Sequence, residues 1–443
     1  MNRNSLEKYA REARRDFLAA VSARARALGL SETSLSLATI DGESVVVNGI
    51  PMSKDTANAY NKLVKAMQET SFAHVIDEMA YTWFNRFLAI RFMELHELLK
   101  VGYKVLGNDR QSEMPEILGH IGDIEEGVLP SLDLAKIREL RLAGNREEEL
   151  YRLILIAQCN ALAASMPLLF EKVNDASELL LPDNLLASNG LIRKLVTEIS
   201  EKDFEEVEII GWLYQYYIAE RKDEVIGKVV ATEDIPAATQ LFTPNWIVQY
   251  MVQNTLGQMW LATYPDSGIR AEMPYYIDPA EQTEEVQKQI ADITPKELDP
   301  EKITFLDPAC GSGHILVEAY NVLKMIYTER GYRRKDIPRL ILEKNLYGID
   351  IDPRAAQLTQ LSLLMLACKD DRSILKQPPK MNILALRSSA HLQKDPKQIE
   401  KIAKRIQSAS PQTILPQEPV QLSLVGEPVH VQGMLPSENA LDP

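Results

Sequence analysis

The sequence is poor in cysteine, in long apolar runs and in positive charge, and each shortage removes a class of protein. Three cysteines in 443 residues, Cys159, Cys310 and Cys368, lie far apart and read as reduced thiols. That leaves no disulfide framework, and the six histidines show no ligand spacing with them, so no metal is expected. No stretch approaches the roughly 18 consecutive apolar residues of a membrane helix. The amino terminus carries Arg3, Lys8 and Arg11 instead of an apolar signal core, so the expectation is a cytoplasmic protein with no membrane partner. Acids outnumber bases by 63 to 49, a net charge of −14, which makes this chain a poor main surface for gripping a phosphate backbone. Two basic clusters stand out, Arg330-Arg333-Arg334-Lys335 and Lys394 to Arg405. The ordinary reading of each is a solvated face.

What remains is the composition of a soluble globular chain, with 45% hydrophobic residues and a length that suits two or three domains. Residues 3–29 space Leu6, Tyr9, Ala13, Phe17, Val21 and Leu28 along one side of a helix. Residues 38–50 alternate around Asp41-Gly42 and predict a hairpin. Helical patterns follow over about 56–70, 73–101, 132–145, 147–175 and 189–227. These give a mostly helical domain over 1–230. The run from Thr82 to Met93 interleaves Trp83, Phe84, Phe87 and Phe92 with Arg86 and Arg91. Such a stripe can stack on nucleic acid, but it reads more simply as core with two buried arginines.

The organising stretch is Phe305-Leu306-Asp307-Pro308-Ala309-Cys310-Gly311-Ser312-Gly313-His314. It ends an apolar run and opens an apolar helix, the strand–turn–helix unit that begins a doubly wound sheet. A dinucleotide fingerprint needs a small residue where Leu316 stands, and a P-loop needs a Gly-Lys-Ser/Thr that is absent. An ordinary strand-to-helix turn is the bland alternative. A second strand then ends in Leu346-Tyr347-Gly348-Ile349-Asp350-Ile351-Asp352-Pro353, followed by Ala355, Leu358, Leu361 and Leu364 at helical spacing. A carboxylate at that strand end is where a ribose diol is gripped, since it accepts two hydroxyl protons. Upstream, Phe242-Thr243-Pro244 leads into a helix from Asn245 to about Trp260. Asp352 reads as a helix N-cap. Met381 to Leu386 suggests a third strand.

Together these three elements resemble the S-adenosylmethionine-dependent adenine-specific DNA methyltransferases. Asp-Pro-Ala-Cys-Gly-Ser-Gly matches the group's first motif, Gly-Ile-Asp-Ile-Asp-Pro its second and Phe-Thr-Pro its amino-terminal one. Tyr9 to Phe17, Tyr81 to Phe87 with Arg91 to Glu94, and Leu181 to Leu186 narrow the resemblance to the PglX family of BREX phage-defence systems, amino-terminal part only. The resemblance covers roughly residues 1–390. It implies an α/β fold with a large α-helical amino-terminal domain and an incomplete doubly wound, Rossmann-like methyltransferase sheet over 231–390. It implies S-adenosylmethionine as cofactor. Asp307, Pro308, Ala309, Gly311, Ser312 and Gly313 would bracket its methionine portion, Asp350 its ribose and Ile351 its adenine. Phe242, Thr243 and Pro244 would approach from the amino-terminal helix.

The family's amine-orienting element, Asn/Asp-Pro-Pro-Tyr/Phe, occurs nowhere in the sequence, so no catalytic residue is assigned to this chain. By motif order it belongs after residue 390, where 391–443 reads as a poorly structured tail. The expectation is the amino-terminal part of a split or truncated adenine-N6 methyltransferase, inactive alone. A completing carboxyl-terminal chain would bring the missing motif and the contact to double-stranded DNA, and other BREX proteins would be partners. The strand at 302–306 would then be an open apolar edge. The alternative is a non-catalytic, S-adenosylmethionine-binding scaffold subunit of a defence complex.

Overall fold

The computed structural model describes residues 2–386 apart from 39, 42–43, 48–49, 110–113, 126, 168, 171–175 and 231–233. The chain opens with α1 (Arg3–Ala27), whose N-cap Asn2 accepts a hydrogen bond from the Ser5 amide. The stripe foreseen in the sequence is the one buried: Leu6, Tyr9, Ala13, Phe17 and Val21. The hairpin expected at 38–50 is a three-stranded antiparallel sheet: β1 (Ile40–Asp41), β2 (Ser44–Val47) and β3 (Ile50–Met52). Ile40 pairs with Val45, and Val47 with Ile50.

Helices α2 (Lys54–Glu69) and α3 (Phe72–Leu95) are capped by the Ser53 and Ser71 hydroxyls. From Ala80 on, nearly every side of α3 is buried. Trp83, Phe84, Phe87 and Phe92 are core, and so are both arginines. Arg86 donates to the Leu169 carbonyl and the Ser177 hydroxyl, and Arg91 to Glu94 and Glu201. The core reading of this stripe thus holds, with each guanidinium neutralised or hydrogen-bonded as burial demands. Then come α4 (Glu116–His120), α5 (Leu134–Ala143), α6 (Glu147–Ala163), α7 (Ala176–Leu179), α8 (Leu191–Glu198) and α9 (Glu208–Val225).

Three long helices expected in this portion are shorter, and the 73–101 pattern stops at Leu95. The 147–175 pattern stops at Ala163, four residues before Pro167, as a proline requires of the segment ahead of it. The 189–227 pattern breaks between Ile199 and Val207 into a 3₁₀ turn. There Asp203 accepts from the Asn2 amide at 3.0 Å, which ties the break to the start of α1. Helices α1, α3 and α9 pack together around Phe17, Tyr81, Phe84, Tyr214 and Tyr217, whose rings meet edge-on or tilted.

After α10 (Ile235–Thr239), the helix entered through Phe242-Thr243-Pro244 runs as α11 (Asn245–Val252), a π-helical turn over 253–257 and α12 (Gln258–Thr263). The excursion at 264–300 contains α13 (Glu284–Ile293), none of whose residues is buried. The parallel unit follows: β4 (Phe305–Asp307), α14 (His314–Glu329), α15 (Ile337–Leu340), β5 (Leu346–Asp350), α16 (Pro353–Cys368) and β6 (Asn382–Ala385). The strand order is β4-β5-β6, with Asp307 opposite Gly348 and Gly348 opposite Ile383. The third strand is present as the sequence suggested.

The two faces of this sheet differ. Asp307, Gly348 and Ile383 share a register row and are buried beneath α14 and α16. A Cβ on Gly348 would lie 2.9 Å from both Ile383 Cδ1 and Leu316 Cδ1, so that packing is close. The alternate positions point the other way, and there Leu306 is 57% and Leu384 62% exposed, with Tyr347, Ile349 and Asn382 half-buried. Among the described residues β4 pairs on one side only, the open apolar edge expected from the sequence.

Three of the four residues in the basic cluster at 330–335 are engaged by neighbours. Arg330 lies over the Trp260 and Tyr264 rings, Arg333 bonds Asp336, and Arg334 bonds Asp370. The second cluster and the tail from 391 lie outside the described residues. Residues 1–386 form one compact unit, and no helix among the described residues is long and apolar enough to cross a membrane.

Candidate functional site

The carboxyl ends of β4 and β5 lie side by side, which brings the two acid-bearing strand ends together. After Asp307 the backbone turns through Gly311 and Gly313, both with positive φ (53° and 87°), and enters α14. The turn is fastened at three points. The Cys310 amide donates to the Ile349 carbonyl at 2.9 Å, and the Gly311 amide to Asp350 Oδ2 at 2.8 Å. Thr359 Oγ1, from α16, donates to the Gly311 carbonyl at 2.7 Å. The two glycines differ in their surroundings. A Cβ on Gly313 would strike Thr359 at 2.9 Å, whereas one on Gly311 would meet nothing within 4 Å. Gly313 is therefore needed for packing, and Gly311 faces open space.

Asp307 is buried with one oxygen committed: Oδ1 accepts from the Ala309 amide at 3.1 Å, and Oδ2 has no partner. Burial raises its pKa, the Ala309 bond opposes that, and nearby Asp350 adds slightly to it. Asp350 is half-buried, its Oδ1 accepting from the Asp352 amide at 2.8 Å while Oδ2 takes Gly311. Pro308, Ala309 and Ile351 are exposed beside these acids, and Ser312 is buried. Cys310 is buried, its thiol pushed up to about 12, so it is an inert core residue rather than a nucleophile.

Phe242 reaches the turn from the side. Its ring stacks on the His314 imidazole with centroids 4.5 Å apart and packs against Trp212. Gly211 of α9 lets it in: a Cβ there would lie 2.5 Å from Phe242 Cε2 and 2.9 Å from Ser312 Oγ. Thr243 is half-buried and Pro244 exposed. The Pro244 carbonyl accepts from Ile247 and Val248 and so starts α11. Of the three residues of this element, Phe242 is the one whose contacts join it to the turn.

Further polar groups surround the turn. Thr359, like Ser362, is a polar residue buried among the apolar ones of α16. His314 buries both ring nitrogens without a hydrogen-bond partner, with Glu208 Oε1 3.7 Å from Nε2. Asn245 Nδ2 in turn donates to that Glu208 oxygen at 2.8 Å. Asp352 is the N-cap foreseen, and it also accepts from the Tyr214 hydroxyl at 2.8 Å.

Comparison with known proteins bears on what such a site serves. Residues 281–410 match the family model of the MmeI DNA-methyltransferase domain. The adenine-specific methyltransferase BrxX of Escherichia coli O9:H4 (strain HS) is 52% identical over 394 residues, 88% of this chain and 33% of that protein. The adenine-specific methyltransferase PglX of Lacticaseibacillus casei (strain Zhang) is 35% identical over 425 residues, 89% of this chain and 35% of its own. The homologues of this chain are adenine-specific methyltransferases. They are the relatives that the three motifs indicated, and the chain spans about a third of their length. The identity to BrxX extends over 88% of the chain, so it takes in much of the helical portion as well as the parallel unit.

Proposed function

We propose that this chain supplies the cofactor half-site of a cytoplasmic DNA methyltransferase that transfers a methyl group from S-adenosylmethionine to adenine N6 in BREX-type phage defence. One observation carries the reading: the buried, unpaired Oδ2 of Asp307, one strand away from half-buried Asp350 and beside the open space over Gly311. A buried acceptor without a partner is costly to hold and calls for a donor from outside the fold. The ammonium of a methionine moiety is such a donor, and the ribose diol suits Asp350. Bound, the cofactor supplies the electrophilic methyl group.

The chain's own residues bind and orient. Asp307 with Pro308, Ala309, Gly311, Ser312 and Gly313 holds the methionine portion, Asp350 the ribose hydroxyls, and exposed Ile351 flanks the adenine. Phe242 backs the turn, with Thr243 and Pro244 at the near end of α11. Residues 1–230 are the helical domain that packs behind this site, and 231–390 the first part of the methyltransferase domain. The relatives are about three times as long as this chain. In our reading, further polypeptide of that kind carries the Asn-Pro-Pro-Tyr element, completes a doubly wound sheet and contacts double-stranded DNA and other BREX proteins. The half-exposed sheet face and the unpaired edge of β4 support that part of the reading.

Calorimetric titration with S-adenosylmethionine tests it. Wild type should bind, and Asp350→Ala should bind at least about tenfold more weakly, since it loses charge-assisted bonds of about 1.5–3 kcal/mol. Equal binding by both would sink the ribose assignment, and no binding by folded wild type would sink the half-site.

A further inference from the structure

Beneath the Asp350 turn, a row of charged side chains runs without a break into the helical portion of the molecule. Asp350 Oδ1 accepts from the Asp352 backbone amide at 2.8 Å. The Asp352 carboxylate, 2% exposed, accepts from Arg354 Nε at 3.0 Å and from the Tyr214 hydroxyl of α9 at 2.8 Å. Arg354 Nη1 reaches Asp77 Oδ2 of α3 at 3.2 Å. Asp77 Oδ1 in turn accepts from Arg14 of α1 at 3.1 Å, and Arg14 lies 3.6 Å from Glu220 of α9. The Tyr81 ring, fully buried, lies 5.1 Å from the Arg354 guanidinium carbon.

We propose that Asp77, Arg354, Asp352 and Tyr214 form a positioning relay through which helices α1, α3 and α9 fix the Asp350 carboxylate for the ribose of the cofactor. This rests on the cofactor reading above and deepens it. Helix capping alone explains one of these contacts, the Asp352 Oδ1 bond to the Arg354 amide. It does not call for a second carboxylate 277 residues away to take the other end of the arginine, nor for a buried tyrosine to take the second Asp352 oxygen. Asp352 is the buried member of the row, while the Arg354–Asp77 pair is part-exposed, and ion pairs of either kind contribute little net stability, so what they fix is geometry. Here that geometry ends on the amide that orients Asp350. Arg354 forks between two acids whose own positions are set by separate helices, so neither acid can shift without breaking a charge-assisted bond. Binding groups misplaced by fractions of an ångström lose affinity, which is the loss the relay prevents.

None of the four residues is assigned a contact with the cofactor, so each can be changed without removing a ligand. The experiment is isothermal titration of the 443-residue chain with S-adenosylmethionine, beside thermal unfolding. The set comprises wild type, Asp77→Asn, Tyr214→Phe, Asp350→Asn and the two doubles with Asp350→Asn. Tyr214→Phe deletes one hydroxyl and keeps the ring, so it remains informative if Asp77→Asn does not fold. In the wild-type background each relay variant is expected to weaken binding by about fivefold, one hydrogen bond's worth. In the Asp350→Asn background the same changes are expected to shift binding by less than about twofold, the non-additivity of groups acting through one another. A loss of equal size in both backgrounds would show a merely structural role and overturn the relay. Unchanged affinity in the single variants would do the same while leaving the cofactor reading standing. Absence of binding by folded wild type would overturn the cofactor reading, and the relay with it.

Discussion

At the scale of single residues, the site is organised by what each side chain leaves unsatisfied. Asp307 is the clearest case, because its fold position costs stability. Its pKa is raised chiefly by burial, so the folded state keeps a proton that the unfolded chain gives up. Stability is then lost as pH rises from roughly pH 4 through the folded pKa, and the penalty is complete above it. Asp307→Asn should therefore raise the unfolding midpoint near neutral pH by about 1–3 °C, a difference that shrinks as pH falls toward 4. Differential scanning fluorimetry across that range checks it; a midpoint that drops equally at every pH would mean the carboxylate is satisfied after all. The same variant should bind S-adenosylmethionine less well, the usual exchange of stability for function. The acid was legible in the sequence because it closes an apolar strand ahead of a glycine turn. Thr359 and Tyr214 were not, because their value lies in a hydrogen bond to a residue 48 or 138 positions away.

At the scale of elements, the approach of α9 to the β4–α14 turn decides where Phe242 sits. Gly211 has an ordinary helical neighbourhood in sequence and carries no turn signal. Its role appears only when Phe242 and Ser312 are seen against it. Gly211→Ala should push the Phe242 ring or the Ser312 hydroxyl aside, an overpacking cost of about 1–3 kcal/mol. Urea unfolding gives that cost, and cofactor titration should show weaker binding from the displaced Phe-Thr-Pro segment. Gly257 is the contrast. Its nearest obstacle is the Met273 sulfur, at the flexible end of a side chain, so alanine there is expected to cost less than at Gly211. Element types were well marked by period and capping residues, as α1 and the two parallel strands illustrate. Element ends were marked less well. At the break over 199–207, Asp203 meets Asn2, 201 residues away, a contact that local pattern does not encode.

At the scale of the whole molecule, the described residues cover the parallel sheet on one face and leave the other largely exposed. All-parallel sheets bury both faces, since their strands are apolar on both sides. Leu306, Ile351, Leu384 and Leu386, each more than 45% exposed, lie on or beside the uncovered face. Single exposed leucines need no explanation, but a group of them along adjacent strands is the kind of apolar patch that suits a covering partner. If the further two-thirds found in the relatives cover it, Leu384→Lys separates two kinds of stability. Within this chain the side chain is 62% exposed, so the substitution should change its own unfolding free energy by no more than about 0.5 kcal/mol. Against a co-expressed polypeptide supplying the remaining length of a BrxX-like relative, the same lysine buries an unpaired charge and should abolish co-purification. Asp292→Lys, on surface helix α13, serves as the control for added charge. Loss of co-purification by Leu384→Lys with the control intact places the partner on the sheet. Equal behaviour of the two would mean that the exposed leucines meet solvent in the assembled protein too, and that the sheet is completed elsewhere.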